Sequence, residues 1–253
     1  MSKPTLVFVP GAGCSPDVYD YVISALSLEG FASVKVSLPS NEVDPPIYDM
    51  TEDVDTVKKA ITEVAEDGRD VVLVMHSYGG MPGAQAVKGL GRKERADKGL
   101  TGGVVRLVFL AAFVFPEGFQ VSPRGETKNF IGIMKADLEK GVLVFDPALR
   151  PELWWHDLSR EEAARWDATV KPCSLGPFWT TTTYAGWRYI PSTFMLTSRD
   201  KVFPPEVAQQ QIDFAKAQNP TGLENVEKID SGHFPMLSQP QEVADLLRKA
   251  AGL

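Results

Sequence analysis

The amino-acid sequence predicts an α/β protein in which helices cover a mainly parallel sheet of six strands. Short runs rich in β-branched residues alternate with longer amphipathic segments through the first half of the chain, a pattern that indicates strand–helix–strand units. The run 70–75 is apolar on both faces, which is typical of a central strand in a parallel sheet. A chain of 253 residues, 43% of them hydrophobic, buries enough apolar surface to fold by packing alone.

The first half contains three predicted strands, each followed by a helix. Ser15 and Pro16 supply an N-cap and a proline at the first helical position, which predicts a helix that ends at Gly30. Thr51 is predicted to cap a second helix, which closes at Gly68. The strands of this half are predicted at residues 6–9, 34–38 and 70–75.

The second half contains three further predicted strands and one long insertion. Residues 114–190 break the alternation and hold all five tryptophans, and segments of this length seldom lack structure in compact domains. We therefore expect a mostly helical lid at 114–190, inserted after the fourth strand into a core formed by residues 1–113 and 191–253. The remaining strands are predicted at 104–111, 193–197 and 226–229, with a terminal helix over 239–251.

Charge and cysteine content exclude several function classes. The formal net charge is −7, from 26 basic and 33 acidic residues, and an acidic protein repels phosphate backbones and anionic membranes. Cys14 and Cys173 lack metal-ligand spacing, so neither a metal site nor a disulfide framework is expected. The first apolar run is too short for a signal peptide, and no stretch approaches a membrane span. We expect a cytoplasmic protein that binds neither nucleic acid nor membrane; a homodimer is compatible with these features.

Ser77 is the predicted nucleophile. It follows the most hydrophobic predicted strand, and ligands bind at the carboxyl ends of strands in open parallel sheets. Gly79 and Gly80 come directly after it and permit the strained turn that lifts a serine hydroxyl clear of the sheet. Met75 stands where the motif G-x-S-x-G has its first glycine, so the match is imperfect. The alternative interpretation is a strand-to-helix turn without chemistry.

His233 is the predicted base, because a serine hydroxyl needs a nearby base to react at neutral pH. It follows the sixth predicted strand in a glycine-flanked loop and is one of only three histidines. His76 adjoins Ser77, but neighbouring side chains in an extended segment point to opposite sides. His156 lies in the predicted lid, where a packing or surface role is the more common one.

Asp200 is the predicted acid that orients the imidazole. It follows the fifth predicted strand and so lies at the same edge of the sheet as the other two residues. Two alternatives stay open: a turn aspartate paired with Arg199 or Lys201, and Glu117 as a rival acid. The chain order serine, aspartate, histidine is characteristic of α/β-hydrolases.

Two backbone amides are predicted to hold an oxyanion. The N–H of Tyr78 lies at the start of a helix, where unsatisfied donors are available. The loop after the first strand, Pro10-Gly11-Ala12-Gly13, permits a close backbone approach, and the N–H of Ala12 is the second candidate. The neighbouring Cys14 is predicted to be a packed thiol rather than a nucleophile.

With these motifs, the sequence resembles the α/β-hydrolase superfamily, and within it the small lidded enzymes related to plant methylesterases and hydroxynitrile lyases. Residues 6–12, 76–80 and 232–240 resemble that group's oxyanion loop, nucleophile elbow and histidine loop, and Asp200 resembles its acid. The resemblance covers nearly the whole chain and implies the sequential strand order 2-1-3-4-5-6. It departs from the family pattern at Pro10, where the common loop H-G-A has its histidine.

The resemblance also separates branches of the superfamily. The related lyases have a threonine in the oxyanion loop and a lysine directly after the catalytic histidine, whereas Gly11 and Phe234 occupy those places here. A serine at the elbow, in place of aspartate, disfavours epoxide hydrolases and dehalogenases.

The leading hypothesis is a serine hydrolase that cleaves a small to medium, largely apolar ester or lactone through an acyl-enzyme, without a cofactor or metal. The alternatives on the same triad are acyl transfer, carbon–carbon bond hydrolysis and lyase-like chemistry; a small-molecule receptor with weak turnover is an alternative of another class. Packing of the lid onto the core is an equally strong interpretation of the aromatic residues. The candidate pocket residues are Gly11, Trp154, Trp155, Trp179 and Trp187, with Phe178, Phe130 and Met134 as further candidates.

Overall fold

The computed structural model describes residues 3–219 and 222–252, and their central feature is a parallel sheet of six strands. The strands are β1 (Thr5–Val9), β2 (Ser33–Lys35), β3 (Asp70–His76), β4 (Gly103–Leu110), β5 (Met134–Asp137), β6 (Val142–Phe145), β7 (Cys173–Ser174), β8 (Ser192–Thr197) and β9 (Leu223–Ile229). The spatial order of the six-stranded sheet is β2-β1-β3-β4-β8-β9, and β5-β6-β7 form a separate small sheet. Because β5 to β7 fall within the insertion, this is the predicted sequential order, and the predicted fold is confirmed.

Helices flank the six-stranded sheet, with the first helix packed against the last and the second against the third. Within residues 3–219 and 222–252, no helix is both long and apolar enough to cross a membrane. The helices are α1 (Asp20–Ser27), α2 (Thr51–Glu66), α3 (Gly80–Ala86), α4 (Arg92–Ala96), α5 (Arg150–Leu153), α6 (Arg160–Asp167), α7 (Pro205–Gln218), α8 (Pro235–Ser238) and α9 (Pro240–Ala250).

Strand β3 lies at the centre of the sheet, hydrogen-bonded to β1 on one side and to β4 on the other. Every residue of β3 after Asp70 is buried, as its unbroken apolar run predicts. All six strands run in the same direction, so their carboxyl ends meet at one edge. The predicted site residues that follow β1, β3, β8 and β9 therefore gather at that edge.

Several predicted element boundaries differ in the structure, including the start of β9, which lies at Leu223 and not at residue 226. Met50 is the N-cap of α2 and Thr51 is its first helical residue, with no side-chain cap. The backbone N–H of Thr51 instead donates to Asp49 Oδ1 at 2.8 Å, so a neighbouring carboxylate takes over the capping role. Strand β2 also differs from the predicted 34–38, since it begins at Ser33 and ends at Lys35.

The insertion has a different content from the mostly helical lid that the sequence predicts. It contains the antiparallel sheet β5-β6-β7 and only two short α-helices, α5 and α6. The alternating β-branched pattern of Val142–Phe145 favours a strand, and Gly141 takes a positive φ of 68° in the turn before it. Local strand propensity thus decides this part of the insertion.

Candidate active site

Ser77 lies in the tight turn between β3 and α3. Its φ of +51° is in the left-handed region, which a residue with a side chain seldom adopts. A Cβ on Gly79 would lie 2.6 Å from the carbonyl oxygen of Pro10, and one on Gly80 would collide with the carbonyl oxygen of Phe113. Only glycines fit these two close approaches, and they let the backbone hold Ser77 in its strained conformation.

Met75 replaces the first glycine of the usual elbow motif, and α3 makes room for it. The side chain of Met75 is fully buried, and a Cβ on Gly83 would lie 2.5 Å from its sulfur. The missing small residue on the strand is therefore offset by a glycine on the facing helix. The elbow keeps its close strand–helix packing despite the imperfect motif.

The side chains of Ser77, His233 and Asp200 form one hydrogen-bonded chain. His233 Nε2 lies 3.0 Å from Ser77 Oγ, and His233 Nδ1 lies 2.7 Å from Asp200 Oδ2. Both His233 and Asp200 are buried. With the Nδ1 proton directed at the carboxylate, Nε2 is left with its lone pair toward the serine hydroxyl. The turns after β3, β8 and β9 thus bring together the three residues that the sequence predicts.

The Asp200 carboxylate is held by hydrogen bonds on both oxygens. Oδ1 accepts from the backbone N–H groups of Val202 and Phe203, each at 2.8 Å, and Oδ2 accepts from the Thr197 hydroxyl as well as from His233. Burial by itself would raise the pKa of Asp200, but His233 and these hydrogen bonds outweigh it, so the pKa is lowered. Asp200 is therefore ionised at neutral pH.

The alternative partners for Asp200 are occupied elsewhere. Arg199 pairs with Asp230 at 2.8 Å, and Lys201 lies 3.5 Å from Glu152. The rival acid Glu117 pairs with Arg188 and accepts a hydrogen bond from the backbone N–H of Ala185, so it braces the insertion instead of contacting a histidine.

His76 lies behind the site and contacts the loop of the predicted base. Its ring is fully buried, and its Nε2 lies 2.8 Å from the carbonyl oxygen of His233. Burial, aided by the neighbouring His233, lowers the pKa of His76 to about 3. A neutral His76 donates its Nε2–H to this carbonyl, and this hydrogen bond supports the loop that carries His233.

This buried neutral histidine predicts acid sensitivity. Unfolded His76 binds a proton below its ordinary pKa of about 6.5, whereas the folded protein excludes that proton down to about pH 3. The unfolded state therefore binds more protons in this window, and stability falls as pH falls. We expect wild type to lose ~2 kcal/mol more than His76→Asn between pH 6.5 and 4.5, measured by urea unfolding. The carboxylates are the same in both proteins, so their contributions to the pH dependence of stability cancel in this comparison. Equal pH dependence of the free energy of unfolding in the two proteins would therefore contradict this expectation.

The insertion clamps the backbone just before His233. Asp157 Oδ2 accepts a hydrogen bond of 2.6 Å from the N–H of Gly232. A Cβ on Gly232 would lie 2.7 Å from His156 Cε1 and 2.8 Å from Asp157 Oδ1. Within the described part of the chain, neither ring nitrogen of His156 has a hydrogen-bond partner, which agrees with a packing role for this histidine.

Gly232→Ala is therefore expected to lower the free energy of unfolding. The added methyl overpacks a site bounded by His156 and Asp157, and overpacking costs ~1–3 kcal/mol. Gly132→Ala is the matched control, because no heavy atom of the described residues, its two chain neighbours aside, lies within 4 Å of the position of its Cβ. Denaturant unfolding of both variants checks this, and a Gly232→Ala protein as stable as the control would refute the clamp.

The candidate oxyanion loop after β1 passes directly over Ser77. A Cβ on Gly11 would lie 3.2 Å from Ser77 Cβ, and Ala12 and Ser77 line the same cavity. Burial raises the pKa of Cys14 to about 12, so it remains a thiol at neutral pH, as predicted. Across residues 3–219 and 222–252, no cluster of three or more His, Cys, Asp or Glu is arranged to hold a metal ion.

A small cavity of about 20 Å³ lies beside Ser77 and His233, with room for about one water molecule. Of the predicted pocket residues, Gly11, Trp154 and Met134 line it. Apolar side chains that the sequence analysis did not name as pocket residues form most of its wall, since their approach depends on how the insertion folds back. They are Phe113, Ile131, Ile133, Phe145, Val202, Phe203 and Phe234.

The other predicted pocket tryptophans do not line this cavity. The indole N–H of Trp155 donates to Asp167 Oδ1 at 2.8 Å, that of Trp179 to the Glu126 carbonyl at 2.8 Å, and that of Trp187 to the Phe115 carbonyl at 3.0 Å. Each indole satisfies an oxygen of the insertion, as a packing role requires.

A second cavity of about 270 Å³ shares Phe113, Ile131 and Met134 with the small one. These three side chains therefore separate the two spaces. A larger surface cavity of about 660 Å³ lies at the amino edge of the sheet, beside Val104 and Pro191, away from Ser77. Because it adjoins the small cavity beside Ser77 across these shared residues, the 270 Å³ cavity is the one relevant to the candidate nucleophile.

Residues 6–246 match the sequence profile described as the alpha/beta hydrolase family. The chain belongs to this family. This hydrolase is 34% identical over 268 residues to "Alpha/beta hydrolase nvfD" of Aspergillus novofumigatus (strain IBT 16806), with 100% of this chain and 98% of that protein covered.

Solved structures share the fold of this hydrolase. A pyrethroid hydrolase from Sphingobium faniae JZ-2 superposes with a TM-score of 0.77 and 19% identity, covering 99% of this chain and 98% of that one. Polyneuridine aldehyde esterase superposes with a TM-score of 0.74 and 18% identity, covering 98% and 99%. The hydrolase therefore has esterases among its structural neighbours.

Proposed function

We propose that this hydrolase cleaves small to medium, largely apolar carboxylic esters or lactones through Ser77, His233 and Asp200. The observation that carries the proposal is the continuous hydrogen-bonded chain from Asp200 through His233 to Ser77, with separations of 2.7 and 3.0 Å. A serine in contact with a base that a carboxylate orients is activated for attack on a carbonyl carbon.

Each residue has a definite task in the proposed reaction. Ser77 Oγ attacks the carbonyl carbon while His233 Nε2 takes its proton, and Asp200 stabilises the imidazolium that forms. The backbone amides of Ala12 and Tyr78 hold the negative charge on the tetrahedral oxygen. His233 then protonates the leaving alkoxide, which departs and leaves an acyl-enzyme. A water molecule, deprotonated by His233, releases the acid and restores Ser77.

The walls of the site support an apolar substrate. The 20 Å³ cavity beside Ser77 is too small for an ester, so the substrate has to displace side chains, and the flexible Met134 is suited to that movement. The adjoining 270 Å³ cavity is walled by Phe113, Phe115, Phe119 and Phe178 among others, which favours a hydrophobic or aromatic group. Structural neighbours named as an esterase and a pyrethroid hydrolase support the ester class.

A screen of aryl esters, alkyl esters and lactones of graded chain length tests the proposal. We expect burst kinetics with activated aryl esters, covalent labelling of Ser77 by a fluorophosphonate, and faster turnover of apolar than of charged substrates. Product analysis with added alcohols separates hydrolysis from acyl transfer. Tight binding of an apolar ligand with neither labelling nor turnover would refute the hydrolase proposal and favour a receptor.

A further inference from the structure

Asn41 is the last residue of the 3-10 turn Pro39–Asn41, which follows β2, and it is hydrogen-bonded to the oxyanion loop. Its side chain is buried, with 7% of the residue exposed. Asn41 Oδ1 accepts a hydrogen bond of 2.7 Å from the N–H of Gly13, and Nδ2 donates to the carbonyl oxygens of Gly11 at 3.1 Å and Cys14 at 3.0 Å. The reverse amide orientation would set donor against donor at Gly13, so the network itself determines which atom is the oxygen.

These three contacts surround Ala12 without using its N–H. Asn41 holds the peptide groups on both sides of this residue, and within the described residues the Ala12 N–H donates no backbone hydrogen bond. Gly13 is also confined sterically, since a Cβ there would collide with the ring of Phe145. The loop is thus held at its neighbours while the Ala12 amide stays available toward the cavity that it shares with Ser77.

The same turn also reaches the elbow on the other side of the site. The N–H of Ser40 donates to Asp53 Oδ1 at 2.9 Å, and the hydroxyl of Tyr78 donates to Asp53 Oδ2 at 2.5 Å. Asp53 is fully buried. Residues 40 and 41 therefore anchor, directly or through Asp53, both segments that carry the proposed oxyanion donors.

We propose that Asn41 is a positioning residue of the oxyanion hole, which fixes the direction of the Ala12 amide. This inference rests on the proposed hydrolytic function. Asn41 does not touch the substrate; it acts through the loop. Loss of the Asn41 side chain leaves the substrate pocket in place but lets the Ala12 N–H move away from the oxygen on which negative charge develops. The rate falls because preorganised donors stabilise mainly that charge, in the transition state.

The test compares Asn41→Ala with Ser192→Ala. Ser192 is also buried and also donates to a backbone carbonyl, that of Ile190 at 2.9 Å, but it lies at the opposite edge of the sheet. We expect Asn41→Ala to lower kcat by ~10–100-fold, part of the loss seen when one oxyanion donor is removed, with KM nearly unchanged. Ser192→Ala should retain wild-type kcat.

A pair of inhibitors separates positioning from general damage. A trifluoromethyl ketone forms a bond from Ser77 Oγ to its carbonyl carbon, with the serine proton passing to His233 and an oxyanion entering the hole. The matching methyl ketone binds without that addition. Asn41→Ala should weaken the trifluoromethyl ketone by the same factor as kcat and leave the methyl ketone unchanged. Asn41→Asp, which has nearly the same shape but lacks both donors, should show the same split.

Three results would count against these roles, each in a different way. Variants of Asn41 with the kcat of Ser192→Ala would overturn the inference. Equal weakening of both ketones would overturn it as well, because the residue would then shape the pocket instead of the oxyanion hole. A wild-type protein that turns over no ester or lactone would refute the proposed function itself, and the role of Asn41 with it.

Discussion

Ser77→Ala is expected to reduce kcat for ester hydrolysis by ~10⁴-fold or more while the protein remains folded. The change removes the only hydroxyl that lies within hydrogen-bond distance of His233 Nε2 among the described residues. Alanine also fits the turn, since it is smaller than serine and meets the same neighbours. Steady-state kinetics on the best aryl ester, with circular dichroism and thermal unfolding, measure both effects.

Ser198→Ala is the matched control for this variant. Ser198 lies at the same edge of the sheet, but it is exposed and donates to Asp230 at 3.0 Å. It should retain wild-type kcat and fluorophosphonate labelling, both of which Ser77→Ala should lose. Wild-type-like turnover by Ser77→Ala would reject Ser77 as the nucleophile.

Asp200→Asn is expected to lower kcat by ~10³–10⁴-fold, the scale of the tautomer effect in serine proteases. The oxygen of the substituted side chain retains the amides of Val202 and Phe203, which donate to Oδ1 in the wild type. The new NH₂ group then faces His233 Nδ1 and the Thr197 hydroxyl, which both donate to Oδ2 in the wild type. To avoid opposing donors, His233 has to place its proton on Nε2, where it can no longer accept the proton of Ser77.

The control for the acid is Asp230→Asn, because Asp230 is an exposed aspartate that pairs with Arg199. Only Asp200→Asn should lose turnover, and its KM should change little because the carboxylate does not contact the substrate. Equal kcat values in the two variants would return Asp200 to the role of a structural turn residue.

Much of the fold follows from local sequence patterns. The apolar run of β3 is buried on both faces. The hydrophobic pattern, with glycine and proline residues at the ends of segments, locates all six core strands to within a few residues. Once those strands are parallel, Ser77, Asp200 and His233 have to share one edge, since each follows a strand end. The meeting of these three side chains is thus a consequence of topology and not of their separation along the chain.

Other features depend on contacts between distant segments. The sequence motif shows Met75 as a defect, whereas the structure pairs it with Gly83 across a strand–helix interface. Asn41 resembles an ordinary turn residue in the sequence, and only the folded loop shows its three hydrogen bonds. The strands of the insertion also differ from the sequence-based prediction. The length and aromatic content of this segment predict a mostly helical structure, and its alternating runs are too short to indicate strands.

The sequence by itself therefore determined the parallel sheet, the elbow, the candidate nucleophile and the candidate base, because periodicity, glycines and strand ends are local signals. The tertiary structure alone decided which aromatic residues face the cavity, which acid contacts His233, and what holds the Ala12 loop. Those choices depend on the side-chain packing of segments far apart in the chain, and neither hydrophobic period nor motif spacing encodes that packing.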